Sequence, residues 1–356
     1  MMTKNGGGTS VYLGALRPRG AVIKDNGHSS GSVHFLELFD NLINIVSQGS
    51  VRRGHCAPYL PIEHGDIEEY LNIGKEGHPI QESTYAVTVT DQWLKEMVDG
   101  DQDKRRIWAK VIQRRTEIGY PYIMFTDTVN NNTVDVYKDK GMKIYNSNLC
   151  SEIALPTADD ISFVCCLSSI NLRHYHEWKD TDAVETLTMF LDTVIQDFIE
   201  RLESYRDSSD PHRQSAFYFM QRAHKFAKEH RALGLGVLGW HTFLQENNIS
   251  FESPEAAALN KEIFALIHDK AYAASAQMAA DYGEPEVLKG YGRRNTTLLA
   301  IAPTTSSAFI LGQVSQGIEP LMSNAFVKDV DKMKVTLKNP TLETLLEEKG
   351  YNTKEV

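Results

Sequence analysis

The run Asn148-Leu149-Cys150-Ser151-Glu152 places an amide, a thiol and a carboxylate at two-residue spacing. In an extended segment, positions i, i+2 and i+4 lie on one face, so the spacing predicts that Asn148, Cys150 and Glu152 converge on one small substrate. The amide can hydrogen-bond a hydroxyl, the thiol can do redox or radical chemistry, and the carboxylate can take a proton. The plainer arrangement is a core cysteine in a strand beside two solvated polar groups, because unpaired cysteine is commonly a core residue. Cys165 and Cys166 are adjacent, so in a strand only one of them can face a site. Cys56, after Val51-Arg-Arg-Gly-His, reads as structural.

Three further stretches carry candidate chemistry. Pro303-Thr304-Thr305-Ser306-Ser307 gathers hydroxyls and backbone N–H groups that suit a phosphate if a helix opens at Ser306 or Ser307. The bland alternative is an ordinary helix cap. The turn-rich segment from Leu16 to Gly31 holds Arg17, Arg19, Gly20, Lys24 and Asn26, either a mobile binding loop or a basic surface hairpin. Arg52 and Arg53 can reach phosphates or stay solvated. Gly234-Leu-Gly-Val-Leu-Gly239 fits the dinucleotide pattern, which needs a strand before it and a helix after it. The preceding Phe226-Ala-Lys-Glu-His-Arg-Ala-Leu233 reads as helix or loop, and the apolar continuation to Leu244 reads as a core helix, so a nicotinamide-dependent dehydrogenase is not favoured. The histidines are scattered, and no metal site is expected.

The elements that must position these residues alternate between strand and helix. Strands are predicted near Thr9–Leu16, Tyr85–Val89, Tyr120–Phe125, on both sides of the Cys150 run, at Ile161–Ile170 and at Thr296–Ala302. Helices are predicted over Val33–Val46, from Thr90 or Asp91 to Gly100, and over Arg105–Glu117, Ala183–Tyr205, Ala216–Glu229, Ser253–Tyr282 and Thr341–Lys349. This order implies a largely parallel α/β core. With no internal repeat or low-complexity linker, 1–356 is expected to be a single core.

Bulk properties exclude several classes. The 356 residues are 42% hydrophobic, ordinary for a globular protein. There is no run of eighteen apolar residues, so no membrane partner is expected, and no secretory signal. A formal charge of −10 argues against a broad nucleic-acid surface. Four cysteines, none in Cys-x-x-Cys, suggest an intracellular, cytoplasmic protein without a disulfide framework.

Four motifs in order resemble the ribonucleotide reductase large subunit: Gly119-Tyr-Pro-Tyr-Ile-Met124, Asn148-Leu-Cys-Ser-Glu-Ile-Ala-Leu-Pro156, Cys165-Cys-Leu-Ser-Ser-Ile-Asn-Leu172 and Arg294-Asn-Thr-Thr-Leu-Leu-Ala-Ile-Ala-Pro-Thr-Thr-Ser-Ser307. The resemblance runs from about Gly6 to about Pro320. It implies a ten-stranded α/β barrel of two half-barrels with a finger loop threaded through its centre. It implies that Cys150 carries a thiyl radical shielded from water and abstracts the ribose 3′ hydrogen. Glu152 would act as base toward the 3′ hydroxyl, and Asn148 would hold substrate hydroxyls. Cys165 would be one of two thiols that reduce the 2′ carbon and become a disulfide, with Cys166 packed as a small hydrophobe; a one-residue slip would exchange them. The 303–307 run would bind the phosphate of a substrate that the resemblance implies is a ribonucleoside diphosphate, and the loop from Arg17 to Asn26 would be the specificity loop between an ATP or dNTP effector and the substrate base.

The resemblance further implies a separate radical-generating, metal-containing small subunit, thioredoxin or glutaredoxin as reductant, and a homo-oligomer. The partner of Cys165, the radical-transfer tyrosines and the regulatory domain have no counterpart in this sequence, so chains carrying the missing N- and C-terminal segments are expected as partners. Two alternatives stand beside the class I reading: a class II enzyme using adenosylcobalamin, and a non-catalytic assembly subunit.

Overall fold

The computed structural model describes residues 3–47, 53–81, 83–330 and 333–351, so Arg52 lies outside the described residues. The chain divides into two compact units, Met1–Phe163 and Val164–Val356.

In the first unit, β1 (Gly8–Tyr12) leads through a short hairpin, β2 (Val22–Ile23) and β3 (Gly27–His28), into α1 (Ser32–Val46). There follow β4 (His55–Pro61), α2 (Ile67–Tyr70), β5 (Ala86–Val89), α3 (Asp91–Asp99), α4 (Gln102–Ile118), β6 (Tyr122–Phe125), α5 (Thr126–Asn132) and α6 (Asp135–Asp139). The helix starts follow their caps. The Thr90 hydroxyl accepts from the Trp93 N–H at 3.3 Å and the Asp101 carboxylate from Lys104 N–H at 3.1 Å. Gly119, in the left-handed region at φ 78°, ends α4.

The four longer strands form one parallel sheet in the order β1-β4-β5-β6. Side chains alternate across it. Leu60, Val87, Val89 and Ile123 pack with α-helical residues such as Leu36, Trp93 and Val111. Ala57, Tyr59, Ala86 and Met124 go to the other face, where Ile144, Leu149 and Ala154 cover them. The register aligns Tyr12, Tyr59, Ala86 and Tyr122 in one row across all four strands. Three phenols therefore lie under the segment that carries Cys150.

In the second unit, β7 (Leu167–Asn171) is followed by α7 (Tyr175–Trp178), α8 (Ala183–Arg206), α9 (Pro211–His230) and β8 (Gly234–Leu238). β7 and β8 pair in parallel, so the intervening helices form the crossover. Then come α10 (Trp240–Glu246), α11 (Pro254–Tyr282), α12 (Thr305–Ile310), the antiparallel pair β9 (Ala325–Val330) and β10 (Met333–Lys338), and α13 (Pro340–Glu348). Leu191, Ile195, Leu235, Val237, Trp240, Phe243, Ile263 and Ile267 fill its core.

The α/β expectation holds, with four local corrections. No strand flanks Cys150; only an isolated Ala158–Ile161 bridge is found there. Thr296–Ala302 makes one bridge, Leu299 to Leu235, and Ile161–Cys166 precedes the strand. Gly234–Leu238 is a strand, so the core helix expected over Val237–Leu244 begins only at Trp240. The glycines of the run are still not a phosphate cradle. A Cβ on Gly234 would collide with the Leu167 side chain, and one on Gly236 with the Ala300 carbonyl, so the first makes room for a packed side chain and the second for a close backbone approach.

The α9 terminus holds a buried histidine. His230 stacks on Phe226 at 4.2 Å, and burial pushes its pKa down to about 4. The unfolded value is about 6.5. The neutral ring is the one that packs, so its contribution is complete above about pH 6.5 and is lost as pH falls through about 4. We expect the unfolding free energy from urea titrations to decline over that window by about 3 kcal/mol more than in His230→Gln, in which this part of the slope is absent.

Candidate active site

The Cys150 segment is an anchored turn rather than an extended strand. Asn148 N–H donates to the Ile153 carbonyl at 3.0 Å, and Ile153 N–H donates to Asn148 Oδ1 at 3.0 Å. Ser151, at φ 69°, lies in the left-handed region, and its N–H reaches the Asn148 carbonyl at 3.3 Å. Two-residue alternation therefore does not operate here. Asn148, Cys150 and Glu152 lie instead on a reversal of the chain.

Three anchors hold that turn to the sheet. Asn130 on α5 bonds both backbone groups of Ile144, each at 2.9 Å, where the loop enters. Asn146 Nδ2 donates to Ser10 Oγ on β1 at 2.9 Å. The Tyr59 hydroxyl shares a 2.5 Å hydrogen bond with Ser147 Oγ and donates to the Asn148 carbonyl at 3.3 Å. Leu149 lies over Gly8, where a Cβ would collide with it. Asn146, Ser147 and Asn148 are buried as a result, and Cys150 stands exposed at the tip. The shielding expected for Cys150 is thus not supplied by the described residues.

The electrostatics place phenols and acid around the thiol. Burial raises the Tyr59 pKa, the Ser147 hydrogen bond opposes that shift, and Glu152 and Cys150 add to it. Burial raises Tyr122 further, with Tyr120, Cys150 and Tyr59 adding. Glu152 Oε2 is buried and accepts no hydrogen bond from any protein atom. A buried acceptor of this kind is an open demand for a donor.

In the second unit, Cys166 is buried, its Sγ 3.4 Å from the Leu191 carbonyl, and burial pushes its thiol up to about 11. Cys165 is exposed. The two neighbours thus face opposite ways although they precede β7. The hydroxyl run opens α12 at Thr305, one residue earlier than expected. Thr304 holds a left-handed φ of 53°, and its Oγ1 accepts from Gly317 N–H at 2.8 Å. Thr305 Oγ1 donates to Gln316 Oε1 at 3.0 Å, while Pro303, Ser306 and Ser307 are exposed.

Arg294 and Asn295, which open the motif that ends in the hydroxyl run, build structure. Asp192 accepts from Arg231 Nε and Nη2 at 2.8 and 2.7 Å, from Arg294 Nε at 3.0 Å and from Asn295 Nδ2 at 2.9 Å. The Leu16–Gly31 loop is pinned at its base. Asp66 accepts from Arg19 N–H and from Ser32 N–H, each at 2.7 Å, joining the two ends. The Arg19 guanidinium makes a two-pronged pair with Glu69 at 2.7 and 2.9 Å, so it does not project from the loop. Arg17, Gly20, Lys24 and Asn26 are exposed. Arg53, also exposed, bonds Asn44.

Sequence reasoning missed Tyr59, Ser147, Asn130, Asp66 and Asp192. Tyr59 takes its place in the row beneath the turn only once the parallel register is known. Asn148 itself carried a signal, because asparagine side chains close turns on their own backbone. Among the described residues no group of three or more His, Cys, Asp or Glu side chains is placed to hold a metal ion, and no helix is long and apolar enough to cross a membrane.

Comparisons with known proteins bear on this geometry. The family model described as "Ribonucleotide reductase, barrel domain" matches residues 1–104, 99–286 and 285–356. The class Id ribonucleotide reductase alpha subunit of Actinobacillus ureae superposes with a TM-score of 0.88 at 52% identity, covering 100% of this chain and 62% of that one. The ribonucleoside-diphosphate reductase large subunit of Invertebrate iridescent virus 3 is 28% identical over 97% of this chain and 63% of its own length. The vitamin B12-dependent ribonucleoside-diphosphate reductase of Thermoplasma acidophilum is 28% identical over 100% of this chain and 47% of its own. The chain therefore spans less than two thirds of the length of these relatives.

Proposed function

This chain belongs to the ribonucleotide reductase barrel-domain family, and from that premise we propose that it forms the catalytic core of a large subunit that reduces ribonucleotides to deoxyribonucleotides. The observation that supports the reading is the anchored turn, which carries an exposed Cys150 thiol and, two residues on, the buried, unsatisfied Glu152 Oε2. In this reading a Cys150 thiyl takes the 3′ hydrogen atom and Glu152 accepts the 3′ hydroxyl proton. Asn148 orients the ribose hydroxyls. The 2′ hydroxyl leaves as water, and a thiol pair that includes Cys165 gives two electrons and two protons and becomes a disulfide. Cys150 then returns the hydrogen atom to C3′. Thioredoxin or glutaredoxin would restore the pair, and cytoplasmic conditions would keep it reducible.

The exposed 303–307 run, with Thr304 held in a left-handed conformation, supports a phosphate contact there. The exposed tip at Lys24 and Asn26 supports an effector-sensing loop for ATP or a dNTP. Relatives named as diphosphate reductases support a diphosphate substrate. The 52% identity to a class Id subunit, against 28% to a vitamin B12-dependent enzyme, supports a separate radical-generating small subunit over adenosylcobalamin. The partner would supply the oxidising equivalent; the described residues offer no metal site of their own.

The test is deoxyribonucleotide formation from labelled ribonucleoside diphosphate by this chain combined with the family's remaining large-subunit segments, a small subunit and a dithiol. Product is expected with the small subunit and not with adenosylcobalamin. An assembled complex that forms none under either condition refutes the reading. Glu152→Gln is expected to lower turnover by about 10²–10⁴, the range for loss of a positioned base, with substrate binding retained in equilibrium dialysis.

A further inference from the structure

The Tyr59 hydroxyl is fully buried on β4, yet it bonds nothing in the sheet. Both of its bonds go to the turn. Its partners are Ser147 Oγ at 2.5 Å and the Asn148 carbonyl at 3.3 Å. Ser147 Oγ also reaches that carbonyl at 3.3 Å, and Ser151 N–H reaches it at 3.3 Å from across the reversal. One carbonyl, two residues before the thiol, thus collects the tyrosine, the serine and the N–H that closes the turn. Asn130 and Asn146 hold the loop farther upstream, at Ile144 and at β1. Tyr59 grips it where the chain reverses.

We infer that Tyr59, through Ser147 and the Asn148 carbonyl, is a positioning residue that fixes the Cys150 turn against the sheet. The ring and the hydroxyl do separate work. The ring packs with Ala57, Ala86, Met124 and Ile144. Ala86, the next residue in the row, is small and leaves room beside it. The hydroxyl adds nothing to that packing and everything to the register of the turn. A hydrogen-atom transfer is sensitive to ångström displacement, so a slackened turn slows chemistry without altering what the substrate touches.

The inference rests on the reading of Cys150 as the radical carrier, and its test has one arm that does not. In Tyr59→Phe, which keeps the ring, amide hydrogen exchange in a peptide covering 146–153 is expected to speed up about tenfold, the scale of one lost hydrogen bond. In the assembled enzyme, kcat is expected to fall about tenfold to a hundredfold with KM unchanged. Ser147→Ala should show the same pattern, and the double variant should lose little more than either single one, because the two hydroxyls act as one unit. Unchanged exchange in both single variants overturns the anchor whether or not the complex turns over. Faster exchange with unchanged kcat, a loss confined to KM, or additive losses in the double variant overturns the positioning role.

Discussion

Cys150→Ser is expected to abolish deoxyribonucleotide formation, a fall of more than about 10⁴-fold, while leaving the fold intact. The size follows from the chemistry assigned to the thiol. An essential covalent or radical group has no substitute in the site, and losses on this scale accompany removal of such a group. A serine O–H bond is too strong to yield a usable oxygen radical under the conditions that form a thiyl. The fold should not notice, because Cys150 is exposed at the tip of its turn and contributes nothing to the core that Ile144, Leu149 and Ala154 make with the sheet. The turn is closed by bonds that join Asn148 to Ser151 and to Ile153. Circular dichroism, the thermal midpoint and substrate binding should match wild type, and product should be at background. Residual product in proportion to wild type would remove Cys150 from the chemistry.

The second large effect concerns stability. Asp192 is buried on α8 and joins Arg231, which ends α9, to Arg294 and Asn295. The guanidiniums of Arg231 and Arg294 are themselves 5% and 13% exposed. Burial alone would raise the Asp192 carboxyl; its partners, Arg231 before Arg294 and Asn295, outweigh that and hold it below the usual carboxylate range. Its contribution is therefore complete above the unfolded value of about 3.9 and is lost as pH falls through the lower folded value. Asp192→Ala leaves two buried cations without their common acceptor. We expect a loss of about 3–5 kcal/mol at neutral pH, or on the order of 10 °C in Tm, with Asp192→Asn intermediate. A midpoint within about 1 °C of wild type in Asp192→Ala would show that the cluster is not a stabilising hub.

Much of the fold was legible because helix ends carry local chemistry. Thr90, Asp101, Ser253-Pro254 and Asn339-Pro340 mark helix starts by side-chain capping or by proline in the first turn. Strands were read less well, since their partners lie far along the chain. β4 escaped notice because Pro58 and Pro61 are strand-breaking signals. It is nonetheless a central strand, in which the ladder with β5 begins only at Tyr59 and the Pro58 carbonyl accepts from the Tyr70 hydroxyl at 2.7 Å. Missing β4 meant missing Tyr59.

The site was legible as residue types and illegible as geometry. Asn148, Cys150 and Glu152 announced themselves, but the turn that carries them depends on a left-handed Ser151 that no glycine marks. Arg19 reads as a binding-loop cation and Arg294 only as the head of a motif, because a sequence does not show which acids a cation meets. Which carboxylates meet them, Glu69 and Asp192, is set by tertiary packing over 50 and 102 residues of separation. The Gly234 pattern shows the same limit from the other side. A helix follows it, but the run is itself the strand and follows α9, and the glycines are spent on close packing against Leu167 and Ala300.

The most direct test of the central claim is the fate of the ribose 3′ hydrogen. The assembled complex would be given an equal mixture of protio and 3′-deuterio ribonucleoside diphosphate, and the unreacted substrate analysed by mass spectrometry. Glu152→Gln, in which the chemical step is slowed, would run beside wild type so that an isotope effect is not masked by other steps. Abstraction at C3′ by Cys150 predicts deuterium enrichment in the remaining substrate, larger in Glu152→Gln. An unchanged ratio in both, from complexes that make deoxyribonucleotide, would contradict it.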